Sequence, residues 1–199
     1  MSFRAKSRNL RFRMRPAVVA IVALIGVGLA SASEIREFNI HTTELLGRQL
    51  FEQRNQDSKS LPPPERRALE ITRAVLKGRI DSTCKFIVLH DPTKGGYLVY
   101  ALATSKDPNI VVLGIHYRVT VSADGNKIER VDALSRTAVV VPKTEETSAF
   151  WMIHLVSTRP VETQVYVTFL YSMALYVGTV DHAIWKIQDG RISKTRAAR

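Results

Sequence analysis

The chain has 199 residues, a formal net charge of +11 and a single cysteine. The basic excess is concentrated at the beginning, because residues 1–32 hold six of the 29 Lys and Arg and none of the 18 Asp and Glu. The remainder carries 23 basic and 18 acidic residues, a net charge of +5, which does not favour a nucleic-acid-binding protein. A single cysteine also excludes an internal disulfide, so apolar burial has to stabilise the fold.

Residues 1–32 have the pattern of a secretory signal peptide. Basic residues precede an apolar run from Ala17 to Ala30, and the small residues Ala30 and Ala32 suit the two positions that a signal peptidase reads. We therefore expect cleavage after Ala32 and a periplasmic or secreted product. The alternative is an uncleaved anchor in the inner membrane, although the apolar run is shorter than the roughly 20 residues that span a bilayer. In either case the chain contacts the membrane only through this segment.

Two amphipathic helices are predicted next. Residues 34–54 carry apolar side chains at three- and four-residue spacings, and a second such stretch begins at Pro64 and ends near Gly78. A polar stretch and three consecutive prolines separate the two. The predicted organisation is a signal at 1–32, an N-terminal helix and linker at 33–60, an α+β domain at 61–193 and a basic tail at 194–199.

After Ser82 the sequence changes to β-branched and aromatic runs separated by turn residues. Short connections such as 123–126 favour antiparallel hairpins. Helices followed by strands predict an α+β fold in which the two N-terminal helices pack on a long, curved antiparallel β-sheet, similar in outline to cystatin-like and NTF2-like architectures. That likeness concerns the outline alone and implies no function. The predicted strands are 84–90, 96–104, 110–122, 127–132, 136–141, 149–157, 162–172, 174–179 and 183–187.

His116 and Arg118 are the first candidate binding residues. Alternation along the strand 110–122 places Val119 on the core face and both candidates on the opposite, mixed face, which suits the solvated or partly covered side of an antiparallel sheet. Residues two apart on a strand lie about 7 Å from each other on one face, a distance suited to gripping a single anion. An ordinary solvated sheet face is the simpler interpretation.

Aromatic residues provide the other candidates. Trp151 belongs to a dense triplet with Phe150 and Met152, and Tyr166 and Tyr171 lie in a second cluster on the predicted strand 162–172. Aromatic side chains are enriched at protein interfaces but are also normal core residues. Burial in the core is the simpler interpretation, and a partner surface or a ligand pocket between sheet and helix is the alternative.

No catalytic or metal-binding motif is recognisable in the sequence. The five histidines lack metal-ligand spacing, and neither a nucleophile elbow nor a phosphate-binding loop occurs. We therefore expect no cofactor and no metal. The sequence favours an exported, non-enzymatic module that binds an envelope protein or a small apolar ligand. The alternatives are a small enzyme that uses His116 or His154 as acid or base in a sheet-lined pocket, and a structural envelope protein.

Overall fold

The structure is a computed structural model that describes residues 18–21, 35–80, 83–137 and 139–195. The predicted cleavage positions Ala30 and Ala32 lie outside these residues, as does the end of the predicted basic tail. None of the described helices is long and apolar enough to cross a membrane. The elements in chain order are β1 (Val18–Ile21), α1 (Ile40–Glu52), α2 (Pro63–Leu76), β2 (Lys85–His90), β3 (Tyr97–Leu102), β4 (Ile110–Val112), β5 (Tyr117–Val121), β6 (Ile128–Ala133), β7 (Val140–Pro142), β8 (Thr147–His154), α3 (Glu162–Tyr171), β9 (Ala174–Thr179), β10 (Ile184–Gln188) and β11 (Arg191–Lys194).

The α+β class is confirmed, but the strands do not form one long sheet. Within the described ranges they form an antiparallel sheet in the order β2-β3-β5-β6, a small β4-β7 pair, and a C-terminal sheet in the order β1-β8-β9-β10-β11. The cystatin-like or NTF2-like outline is not confirmed. The strand β1 lies inside the apolar run of the predicted signal, and it pairs with β8 in parallel.

The segment 162–172, predicted as a strand, is the helix α3. Its first residues are held in a helical turn because the Gln164 side chain accepts a hydrogen bond from the Val161 backbone N–H at 3.0 Å. Every residue from Glu162 to Thr168 is buried, so the helix has no polar face over this length and its sequence lacks the amphipathic period. The helix connects β8 to β9, which are parallel, and a parallel pair requires such a crossover. The C-terminal sheet therefore contains a βαβ unit that the sequence did not predict.

The predicted strand 110–122 is also interrupted. Its first part, β4, pairs with β7, whereas its second part, β5, lies between β3 and β6. Between them Ile115 has a φ of 58°, in the left-handed region that β-branched residues rarely adopt. The Ile115 backbone N–H donates to Ser135 Oγ at 2.6 Å, which helps to hold the bend. The single long strand thus becomes two strands in different sheets.

The inner strands β3 and β5 of the four-stranded sheet are covered on both faces. On one face, α2 packs its apolar stripe, including Ala68 and Leu69, against Val99 and Val119. The other face joins α1, α3 and the C-terminal sheet in the larger core of the molecule. Because neighbouring residues on a strand point to opposite faces, β5 has no solvated side. The face predicted to be wet is buried.

Candidate ligand-binding site

Arg118 lies in the core, contrary to the solvated position predicted for it. Its exposed fraction is 0 %. It belongs to a row of three side chains that crosses neighbouring strands, with Tyr100 on β3 and Asp132 on β6 as its cross-strand partners. Alternation along β5 is visible in the sequence, but the sequence does not reveal that Asp132 of β6 and Glu162 of α3 contact this face. Those acids make the buried charge tolerable.

The hydrogen bonds around Arg118 are extensive. Its Nη2 donates to Asp132 Oδ2 at 2.7 Å and its Nη1 to Glu162 Oε1 at 2.6 Å. Nη2 also donates to the Arg36 carbonyl oxygen, and the Tyr100 hydroxyl donates to Glu162 Oε1 at 3.0 Å. Burial alone would lower the pKa of Arg118, but the negative charges of Glu162 and Asp132 and the Tyr100 phenol outweigh burial and raise it. The guanidinium is therefore a fixed cation that joins two strands to α3.

A second ion pair closes one side of this network. Arg36 Nη1 donates to Asp91 Oδ2 at 2.5 Å, and Arg36 also donates to Thr93 Oγ1. Burial raises the pKa of Asp91, but hydrogen bonds from Arg36 and Thr93 more than offset this, so the pKa is lowered overall. The Phe38 ring lies within 4.8 Å of the guanidinium carbons of both Arg36 and Arg118. These contacts hold the segment before α1 against the sheet, which is a structural role.

The histidines considered as catalytic bases are both buried. His116 Nδ1 accepts from the Ala103 backbone N–H at 3.2 Å, so its proton is on Nε2, which has no hydrogen-bond partner among the described residues. His154 Nε2 lies 2.7 Å from Ser157 Oγ, and that hydroxyl donates to the Arg159 carbonyl oxygen at 2.6 Å. His154 therefore donates to Ser157, the reverse of the arrangement that activates a serine nucleophile. Burial lowers the pKa of each imidazole to about 4.

Trp151 lies on the outer face of the C-terminal sheet, away from the other candidates. Its neighbour Phe150 points into the core, so alternation directs Trp151 outward, where it is half-buried. Its ring lies over Gly178 on β9. Two exposed apolar side chains, Ile153 at 36 % and Ile184 at 42 %, are on the same face.

Tyr166 and Tyr171 are brought together at one cleft, which we call the Tyr166 cleft. Its volume is about 580 Å³, and it opens between α3, the end of α1 and the loop after β3. This volume falls within the range of small-molecule sites, about 300 to 1,000 Å³. The lining consists of Arg54, Asn55, Lys85, Thr104, Ser105, Asp107, Pro108, Lys143, Tyr166, Leu170 and Tyr171.

The Tyr166 hydroxyl is the distinctive group of the cleft. The residue is only 2 % exposed, but its hydroxyl, which forms no hydrogen bond with a described residue, faces the open cleft and is not a fully buried atom. Burial and the nearby Tyr171 raise the pKa of Tyr166 to about 12, although Arg54 opposes this. The phenol therefore keeps its proton and can donate it to a group in the cleft. By contrast, the Tyr171 hydroxyl lies 3.4 Å from both the Val112 N–H and the Ile110 carbonyl oxygen of β4.

Three cations of the cleft were not singled out from the sequence. Arg54 follows α1, Lys85 begins β2 and Lys143 follows β7, so they are far apart in the chain and come together only in the fold. No local motif marks them. The aromatic cluster in the sequence predicts Tyr166 and Tyr171 as binding residues, but it places them on a strand, whereas the structure places them on the helix α3.

Metal ligands do not cluster in the described ranges, where no group of three or more His, Cys, Asp or Glu could hold an ion. Comparison of the chain with protein-family models, with curated proteins and with solved structures finds no match. The Tyr166 cleft is the feature of the described residues that bears on function.

Proposed function

We propose that this protein is an exported, non-enzymatic binding module that holds a small ligand in the Tyr166 cleft. The observation that carries the proposal is the Tyr166 hydroxyl, a donor on an otherwise buried side chain that has no partner among the described residues. Burial fixes the rest of the side chain, so the hydroxyl is held where a ligand in the cleft can accept its hydrogen bond. Recognition of this kind needs few polar groups and a concave surface, and the cleft offers both.

The lining favours a polar ligand over the apolar one expected from the sequence. Aromatic and aliphatic surface comes from Tyr166, Tyr171 and Leu170, while hydroxyl, amide and charged groups complete the wall. None of the residues that line this cleft is a histidine, and His116 and His154 are buried elsewhere. This supports binding without acid or base catalysis by those two groups.

Ligand binding in the Tyr166 cleft is tested by fragment screening, in which binding is detected from changes in amide chemical shifts. We expect polar aromatic fragments to shift the amide signals of Thr104, Ser105 and Leu170, and Tyr166→Phe to weaken their binding because it removes the hydroxyl and leaves the ring in place. The matched control is Tyr176→Phe, on the other side of the C-terminal sheet. A library that shifts none of the cleft amides would overturn the proposed function.

Export is tested separately at the predicted cleavage site. The chain expressed with residues 1–32 should be recovered from the envelope fraction with Ser33 as its first residue, as determined by intact mass. A large residue at Ala30 should block processing because the peptidase accepts only small side chains there, so Ala30→Lys should retain the full mass. Ser31→Gln, between the two small residues, should still be processed. Retention of the full mass by the unaltered chain would contradict cleavage after Ala32.

A further inference from the structure

The Tyr166 cleft carries an excess of positive charge. Arg54, Lys85 and Lys143 are half-buried, and none of them forms a salt bridge within the described ranges. The acidic residue of the lining is Asp107, whose Oδ1 accepts the Asn109 backbone N–H at 2.8 Å. The lining therefore holds three positive charges and one negative charge.

The arginines of the core are arranged differently. Arg36 is paired with Asp91, and Arg118 is paired with both Asp132 and Glu162. The fold therefore neutralises its buried guanidinium groups with carboxylates. Cations that gather at a cleft without this compensation favour an anion in the cleft, because a cleft lined by one sign of charge concentrates the potential that attracts the opposite charge.

Each cation of the cleft is positioned by a neutral oxygen. Arg54 Nη1 donates to the Phe51 carbonyl oxygen at 2.8 Å, and its guanidinium lies 4.1 Å from the centroid of the Phe51 ring. Lys143 Nζ donates to the Tyr171 carbonyl oxygen at 3.2 Å, and Lys85 Nζ lies 3.5 Å from Asn55 Oδ1. These contacts place the charges without neutralising them.

Donors remain available after these contacts are made. A guanidinium has five N–H groups and an ammonium has three. Each of the three cations donates only one hydrogen bond to a described residue. Together with the Tyr166 hydroxyl, four side chains of the cleft therefore have donor hydrogens that are not used by an acceptor among the described residues. A single carboxylate could accept from these donors, but its one negative charge would leave the lining with an excess of positive charge.

We propose that the Tyr166 cleft is a phosphate-binding site, taking either free phosphate or the phosphate group of a small organic ligand. A phosphate monoester carries a charge of about −1.5 to −2 at neutral pH and three strong acceptor oxygens, which matches three cations and one hydroxyl donor. The tyrosines and Leu170 would contact the organic part. This inference rests on the proposed function, since it names the ligand class of the same cleft.

The test compares ligands that differ in one group. Phenyl phosphate, benzoate, phenol and inorganic phosphate are titrated into the full-length chain at constant ionic strength, and dissociation constants are measured from the amide shifts of Thr104, Ser105 and Leu170. We expect phenyl phosphate to bind more tightly than benzoate, and phenol to bind least. Inorganic phosphate distinguishes the two possible ligands. If it binds as tightly as phenyl phosphate, the ligand is free phosphate; if it binds more weakly than phenyl phosphate, the ligand is an organic phosphate.

Two substitutions test whether phenyl phosphate binds in the Tyr166 cleft. Lys143→Gln should weaken phenyl phosphate binding by about tenfold, because a hydrogen bond between charged groups is lost. The control Lys127→Gln removes an exposed charge from the turn before β6 and should leave the dissociation constant unchanged. Equal effects of the two substitutions, or phenyl phosphate binding no tighter than phenol, would overturn the phosphate site. Fragments that bind at the cleft without preferring phosphate would overturn this inference alone and leave the proposed function standing.

Discussion

At the scale of single residues, Arg118 illustrates how a charge is kept in an apolar core. It is enclosed, yet two carboxylates, a backbone carbonyl and an aromatic ring surround it. A buried cation with its partners in place need not stabilise the fold more than apolar residues would, but removal of one partner leaves an uncompensated charge. The network should therefore be sensitive to the loss of any single acid.

Asp132→Asn tests that sensitivity. We expect the free energy of unfolding to fall by about 3 kcal/mol, because Arg118 keeps only Glu162 as a negative partner. Urea denaturation followed by circular dichroism measures the change. Glu129→Gln is the control, since it removes an exposed acid from the same strand and should change stability by less than about 0.5 kcal/mol. Equal losses in the two variants would show that the network does not stabilise the fold.

The two buried histidines make stability depend on pH. Burial lowers the pKa of His116 and His154 to about 4, below the ordinary value of 6.5. Above pH 6.5 both the folded and unfolded states are neutral at these positions. As the pH falls from 6.5 towards 4, only the unfolded state takes up the protons, so the fold is progressively destabilised, by up to about 3 kcal/mol for each histidine. The pKa of Asp91 is lowered from 3.8, so its contribution is lost at more acidic pH.

His116→Gln should remove part of this dependence. We expect the slope of unfolding free energy against pH between 6 and 5 to decrease by about 1.2 kcal/mol per pH unit, because the unfolded state binds nearly one proton more than the folded state over this range. Urea denaturation at a series of pH values measures the slope. The same replacement at the exposed His41 is the control. If both variants keep the slope of the unaltered chain, His116 is not titrating in the way its burial implies.

At the scale of elements, the crossing of α1 and α3 depends on Gly47. A Cβ at this position would lie 2.4 Å from Val165 Cβ and 2.8 Å from the Glu162 carbonyl oxygen. Glycine is unfavourable inside a helix by about 1 kcal/mol relative to alanine. Its presence in α1 is explained by the close approach of α3, which leaves no room for a Cβ. The N-terminus of α3 carries Glu162, and the crossing therefore also positions an acid of the Arg118 network.

Gly47→Ala separates helix propensity from packing. Propensity alone predicts a gain of about 1 kcal/mol, whereas overpacking against α3 predicts a net loss of about 1 to 3 kcal/mol. We expect the loss, measured as a lower midpoint of urea denaturation. The double variant Gly47→Ala/Val165→Gly should lose less than the sum of the two single variants, because the second change removes the Val165 Cβ that lies closest to the added methyl group. A stabilised Gly47→Ala variant would show that the helices can separate without cost.

The same elements show what the sequence could and could not predict. The helices α1 and α2 and the hairpin β5–β6 were recognisable, because one side of each helix is exposed and the turn residues are local. The helix α3 was not, since burial on all sides removes the period that distinguishes a helix from a strand. Tyr166 and Tyr171 were found by composition, whereas Arg54, Lys85 and Lys143 meet only through tertiary contacts.

At the scale of the whole molecule, β1 links the predicted signal to the C-terminal sheet. It is the outermost strand of that sheet, and it pairs with Thr147–Trp151 of β8. If cleavage follows Ala32, β1 is removed with the signal and β8 becomes an edge strand. Edge strands present unpaired backbone groups that can pair with another chain, so processing would change the surface of the module as well as its length.

This change predicts a specific pattern of amide exchange. In the processed chain, the amides of β8 that pointed towards β1 should exchange faster than in the full-length chain recovered before processing. Those that point towards β9 should stay protected, because successive backbone N–H groups of a strand face opposite neighbours. Hydrogen exchange resolved by NMR over Ala149–Trp151, where β8 pairs with both neighbours, should therefore show alternating loss. The inner strand β3 keeps both neighbours and is the control. Equal protection of β8 in the two forms would show that β1 contributes nothing to this edge.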